Sequence, residues 1–176
     1  FNEKLYIGKR EEVFVYNEST GNFDLFYHLA GKNITLSCLH LDKNKNLWMG
    51  TTSNGIYCLS EDKSLSRPVT KGNITSIYED SSNELWIGSW EEGLYRVKTD
   101  GNIENLRHNP MNTNSLCSNF VRSCCEDNSG DLWIGTFNGL NRYDRETGKF
   151  HLYTANGNSP DGLTHSSISV SYTHLR

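Results

Sequence analysis

Leu85-Trp86-Ile87-Gly88 is met three more times along the chain, as Leu5-Tyr6-Ile7-Gly8, Leu47-Trp48-Met49-Gly50 and Leu132-Trp133-Ile134-Gly135. The closing glycines lie 42, 38 and 47 residues apart, periods that belong to solenoids, propellers or arrays. The repeat, rather than the total of 176 residues, therefore sets the domain organisation.

Reading outward from the motif, each tryptophan-bearing copy is preceded by an apolar, β-branched stretch that closes on an aspartate. A polar turn then ends at the motif leucine: Asp42-Lys43-Asn44-Lys45-Asn46, Asp80-Ser81-Ser82-Asn83-Glu84 and Asp127-Asn128-Ser129-Gly130-Asp131. Asp or Asn at a turn start bonds the backbone two residues on, and Gly or Asn later tolerates positive φ, so each turn reads as a hairpin loop. Asp127, Ser129 and Asp131 imitate the opening of a calcium loop, but its glycine and distal glutamate are missing.

After the motif the chain turns through Gly55, Gly93 or Gly139 into Ile56-Tyr57-Cys58-Leu59, Leu94-Tyr95-Arg96-Val97 or Leu140-Asn141-Arg142-Tyr143, alternating runs typical of strands. The first copy has Val13-Phe14-Val15-Tyr16, with Glu12 where glycine is expected. Phe23-Asp24-Leu25-Phe26 and Phe150-His151-Leu152-Tyr153 follow as outer strands. Four short antiparallel strands per period, with almost no helical signal, make a β-propeller blade. The fold class is all-β: an open arc of about four blades, with boundaries near 1–32 (partial), 33–72, 73–116, 117–163, and a further blade opening at 164–170. Residues 171–176 fall out of register and read as a truncated or foreign end, and Phe1-Asn2-Glu3-Lys4 as a start inside a longer or processed protein.

Trp48, Trp86 and Trp133 are expected in the core, each burying roughly 150–250 Å². Gly50, Gly88 and Gly135 behind them would let a neighbouring backbone approach closely. A blade cannot cover both faces of its sheet alone, so neighbouring blades are obligatory partners. The variable loop Asn109-Pro110-Met111-Asn112-Thr113-Asn114-Ser115 takes up the extra length of the longest repeat.

The net charge of −4 and the scattered Lys and Arg exclude a nucleic-acid footprint and direct contact with an anionic membrane. Five cysteines in no CxxC pattern argue against a zinc or redox site, and most read as packing thiols, with a disulfide as the alternative. Glu79-Asp80 and Glu126-Asp127 could suggest a two-carboxylate hydrolase. They recur because the hairpin recurs, whereas a catalytic pair is unique in a fold. Without a nucleophile elbow, phosphate loop or His-Glu-x-x-His helix, the segment reads as non-catalytic, with no cofactor and no metal.

Residues that break the repeat are the ligand candidates. Trp90, just past the motif where the other repeats read as small or polar, would stack on a sugar ring; the alternative is packing on the adjacent blade. Arg122 and Asn119, on or beside an expected inner strand, would reach a polar or anionic ligand; the alternative is lining a water-filled channel.

The stretch from Asn119 to Asp144, Asn-Phe-Val-Arg-Ser-x-x-Glu-Asp-x-x-Gly-x-Leu-Trp-Ile-Gly-Thr-x-x-Gly-Leu-x-Arg-Tyr-Asp, resembles the two-component regulator propeller repeat. The resemblance covers about residues 5 to 170. It implies a periplasmic sensor region of a hybrid two-component histidine kinase with seven-bladed propellers, responding to oligosaccharides and regulating glycan utilisation. Output domains of the parent chain would be partners, and the reading allows a homodimer. Similar repeats occur in other signalling proteins, and a purely structural or protein-interaction propeller is the competing expectation.

Overall fold

A computed structural model of the chain describes residues 4–31, 33–69, 71–155, 163 and 165–168. It divides into two compact units, Phe1–Ile74 and Thr75–Arg176. The first unit holds an antiparallel three-stranded sheet, β1 (Tyr6–Lys9), β2 (Glu12–Asn17) and β3 (Asn22–His28), and a four-stranded one, β4 (Leu36–Leu41), β5 (Leu47–Thr51), β6 (Ile56–Leu59) and β7 (Leu65–Val69). The unit boundary falls inside β8 (Asn73–Glu79), whose sheet continues through β9 (Leu85–Trp90), β10 (Leu94–Val97) and β11 (Ile103–Leu106). The last sheet contains β12 (Val121–Glu126), β13 (Leu132–Thr136), β14 (Gly139–Asp144) and β15 (Lys149–Tyr153). Every sheet keeps its strands side by side in chain order, the meander of a propeller blade. The all-β blade architecture is thus as expected, with Leu-Trp-Ile-Gly on the second strand of each four-stranded blade. Of the strand expected at 164–170, residues 165–168 are described and carry no strand, while the rest of it and 171–176 lie outside the described residues.

One carboxylate organises each inner hairpin. Asp42, Asp80 and Asp127 accept the indole N–H of Trp48, Trp86 and Trp133 through Oδ2 at 2.8, 2.7 and 2.7 Å. Oδ1 of the same three residues accepts the backbone N–H of Asn46, Glu84 and Asp131 at 2.8, 2.9 and 3.0 Å. The aspartate that opens each turn therefore fixes the loop with one oxygen and the core tryptophan with the other. The fourth turn residue is left-handed in all three, at Lys45 (φ 63°), Asn83 (φ 62°) and Gly130 (φ 84°), as Asn and Gly tolerate readily. Asp127 is thereby tied to its own hairpin.

A second repeated device follows the motif. Thr51, Ser89 and Thr136 donate their hydroxyls to the carbonyls of Gly55, Gly93 and Gly139 at 2.7, 2.8 and 2.9 Å. A Cβ on Gly55, whose φ is +73°, would fall 2.1 Å from the Val69 carbonyl oxygen, so only glycine fits this turn.

The motif glycines are points of close packing. A Cβ on Gly88 would stand 2.8 Å from Val121 Cγ1 and 2.5 Å from Ser76 Oγ, so β9 and β12 approach over a side chain that is absent. Thr75 Oγ1 donates to the Val121 carbonyl at 2.8 Å across the same gap. Gly50 and Gly135 meet Ile74 and Ile168 at 2.8 Å in the same way. Gly88→Ala is expected to lower stability by about 1–3 kcal/mol through overpacking; chemical denaturation of both proteins measures it.

Each unit has its own apolar core: Val13, Leu29, Ile34, Leu47, Met49, Tyr57 and Leu59 in the first, and Trp86, Leu94, Leu116, Val121, Leu132, Ile134, Tyr143 and Phe150 in the second. Trp86 is fully buried and meets Tyr143 edge-on at 5.1 Å, a ring supplied by the following sheet. Trp48 is also buried. Trp133 departs from the expected core placement: it is only half-buried and has Tyr153 of its own sheet as its aromatic neighbour at 5.5 Å. Among the described residues no ring of a following sheet covers it as Tyr143 covers Trp86. The five cysteines are free thiols; burial pushes Cys124 up to about 12, and Cys38 and Cys58 up to about 11. These three are packing groups held protonated rather than nucleophiles.

Candidate ligand-binding site

The second unit brings the repeat-breaking residues together. Trp90 closes β9 two residues beyond Gly88 and pairs across to Phe120 through an isolated antiparallel bridge. The turn after Trp90 returns through Glu91 at φ 91° and Gly93 at φ 82°. Both amides, Glu91 N–H at 3.2 Å and Gly93 N–H at 3.0 Å, donate to the Asn119 carbonyl. A glutamate held left-handed stores about 1–3 kcal/mol, the kind of strain that concentrates at functional sites. Arg107 braces the turn by donating to the Glu91 carbonyl at 3.1 Å while pairing with the Glu92 carboxylate.

Arg122 owes its position to a β-bulge. The β12–β13 register jumps between Val121, opposite Thr136, and Ser123, opposite Gly135, leaving Arg122 as the extra residue. Bulges re-aim side chains beside functional sites, and the corresponding jump in β4 falls between Leu36 and Cys38, around Ser37. The scaffold repeats the bulge; the arginine is particular to the last blade. Its guanidinium carbon lies 5.3 Å from the Trp90 ring centre and 5.7 Å from that of Phe137. Trp90, Phe120 and Phe137 form an edge-to-face cluster, with centroids 5.2 Å apart for Trp90–Phe120, 6.5 Å for Trp90–Phe137 and 6.3 Å for Phe120–Phe137.

The sequence candidates thus separate. Trp90 and Arg122 touch, and Trp90 packs on residues of the adjacent sheet. Asn119 sits beside them but its Oδ1 accepts the His108 backbone N–H at 2.8 Å, so that oxygen holds the loop. Phe120 and Phe137 were not singled out from the sequence, although Phe137 stands two residues past Gly135 as Trp90 does past Gly88. The expectation that other repeats are small or polar at this position fails there: two successive repeats carry an aromatic residue. Phe137 is the most open of the three rings, 49% exposed.

Electrostatically the cluster is cationic. Arg96, Arg107, Arg142 and Arg145 each pair with a carboxylate, but Arg122 has no ion pair among the described residues, and its Nε is buried with no hydrogen-bond acceptor. The acidic pairs are occupied elsewhere: Arg145 donates to Asp80 at 2.8 Å and Glu126 at 3.0 Å, and Glu126 also accepts the Ser81 hydroxyl at 2.7 Å. Burial resists charging Asp80, but the Trp86 and Arg145 hydrogen bonds outweigh it and hold its carboxyl below the usual range. Among the described residues no group of His, Cys, Asp and Glu is placed to hold a metal ion.

With this geometry in hand, comparison with known proteins is decisive for the repeat. Residues 28–53, 68–91 and 115–138 match the family model described as two component regulator propeller. The chain carries two component regulator propeller repeats. The three matched segments centre on the inner hairpins β4–β5, β8–β9 and β12–β13, where the Asp–Trp bond lies. No curated protein matches the chain significantly.

Among solved structures the repeats superpose on a catalytically inactive virginiamycin B lyase from Staphylococcus aureus, with TM-score 0.63, 16% identity, and coverage of 86% of this chain and 50% of that one. An auxiliary nutrient binding protein from Bacteroides thetaiotaomicron gives TM-score 0.59 at 16% identity over 86% of this chain and 38% of that one. The extracellular domain of a putative hybrid two component system of the same organism gives 0.49 at 19% identity over 90% and 32%. The first two establish a shared propeller fold. The chain spans half or less of the length of these matched structures.

Proposed function

We propose that these blades form a ligand-sensing segment of an extracytoplasmic β-propeller, the periplasmic sensor region of a hybrid two-component histidine kinase that responds to oligosaccharides and regulates glycan utilisation. The observation that carries the reading is the Trp90–Phe120–Phe137 cluster with Arg122 set against it, at positions where the repeat departs from its scaffold. Aromatic residues joined to a polar group that fixes orientation are what a saccharide site requires, and the repeat family supplies the signalling context. The segment itself is non-catalytic in this reading: the carboxylates a hydrolase would use are bound to indoles, turns and Arg145.

Retention of oligosaccharides by the complete extracytoplasmic region tests this. Trp90→Ala is expected to weaken binding roughly tenfold, the scale of about 1.4 kcal/mol for a lost aromatic contact. Unchanged retention by a folded Trp90→Ala protein would instead favour blades that merely support a site elsewhere or an interface with another protein. That second reading draws on the Asn119 Oδ1 bond to the backbone and on the packing of Trp90 against the adjacent sheet. Turnover of a glycan by the purified protein would revive an enzyme.

A further inference from the structure

We infer that the ligand taken at this cluster is an anionic saccharide, one whose carboxylate or sulfate pairs with Arg122. The inference rests on the saccharide-sensing reading above and narrows it. Arg122 is placed by a bulge rather than by regular pairing, so its side chain is displaced from the β12–β13 register. Two rings hold it, Trp90 and Phe137, at 5.3 and 5.7 Å, and such stacking suits a planar, weakly hydrated guanidinium far better than an ammonium. Stacking fixes the fork without consuming its N–H donors. Four other arginines of the unit spend theirs on carboxylates; among the described residues Arg122 spends none, and Nε has no acceptor.

A buried donor without an acceptor costs about 1–3 kcal/mol, and a charged one more. The two Nη nitrogens are not among the buried atoms that lack a partner, so an incoming oxyanion meets the guanidinium at that edge and neutralises the cation there, in the bidentate geometry that guanidinium and carboxylate share. The half-exposed Phe137 ring then offers an apolar surface to the sugar ring carrying that charge. A neutral saccharide would use the aromatic surface and leave the guanidinium uncompensated. Glu92 is engaged by Arg107, and among the described residues no carboxylate stands within ion-pair distance of Arg122.

The test uses the complete extracytoplasmic region of the parent protein. Calorimetric titration compares a galacturonic acid trisaccharide, a sulfated galactose oligosaccharide and the neutral galactose trisaccharide, for wild type, Arg122→Gln and Arg122→Lys, with melting curves verifying that each variant folds. The inference predicts tighter binding of at least one acidic probe than of the neutral one, and a loss of roughly tenfold or more for that probe in Arg122→Gln. Arg122→Lys should recover only part of the affinity, because it keeps the charge but not the fork. Preference for the carboxylate or the sulfate probe identifies the source of the oxyanion. Should the neutral trisaccharide bind as well as both acidic ones, with Arg122→Gln unchanged, the inference is overturned while saccharide sensing stands. If none of the three saccharides binds the folded wild type, both readings fail together.

Discussion

Trp86→Ala is expected to lower the unfolding free energy by about 3–5 kcal/mol, the range for deleting a large buried aromatic side chain. Trp86 is fully buried and touches three kinds of partner at once. Its ring meets Tyr143 of the following sheet, its face lies 5.2 Å from the Arg96 guanidinium carbon, and its indole N–H is bonded to Asp80. Burial of roughly 150–250 Å² at about 25 cal/mol per Å² gives on the order of 4–6 kcal/mol gross, an upper figure because unfolded chains are already partly collapsed. The same substitution at the half-buried Trp133 should cost clearly less. Urea denaturation of the two variants checks both magnitude and order; equal losses would mean that the following sheet contributes nothing to the Trp86 site.

Asp80→Ala should cost a similar amount, about 3–5 kcal/mol, because it breaks a buried pair from one side. The Asp80 side chain is inaccessible to solvent, and Oδ2 accepts both the Trp86 indole and Arg145. Truncation leaves a buried indole N–H without an acceptor, unties the Ser82 and Glu84 amides from Oδ1, and leaves Arg145 with Glu126 as its remaining acid. Because the folded state holds the Asp80 carboxyl below its ordinary range, its contribution is present above the unfolded pKa and is lost as pH falls through the folded one. The gap between wild type and Asp80→Ala should therefore narrow in acid, below about pH 4. Melting temperatures measured from neutral pH down to pH 3 would show it; a constant gap would mean that the carboxylate charge plays no part.

These two residues also mark how much was legible in the sequence. Repeating Asp and Trp at a fixed spacing announced the hairpin and the core position, since periodic residues must meet periodic surroundings. The bond between them was not legible, because a carboxylate reaching a side chain across a turn leaves no trace in hydrophobic period or turn propensity. Trp133 read as Trp86 did because the motif is identical, yet burial depends on what the following sheet supplies, and that lies outside the repeat. The candidate cluster was half legible. Trp90 and Arg122 stood out as departures from the repeat, but Phe137 was missed although it repeats the position of Trp90, and Phe120 lay inside a stretch read only as strand. Aligning the repeats by position two beyond the motif glycine would have found Phe137. The bulge that places Arg122 needs the observed register, because one extra residue in a strand is invisible in a short alternating run.

The sensing reading is tested most directly in cells carrying the full-length protein, by following transcription of glycan-utilisation genes as oligosaccharide is supplied. The account predicts a dose-dependent response in wild type and a weaker one, shifted to roughly tenfold higher oligosaccharide, in Trp90→Ala at equal protein abundance. A response to oligosaccharide identical in the two proteins, or none in wild type across neutral and acidic glycans, would contradict it.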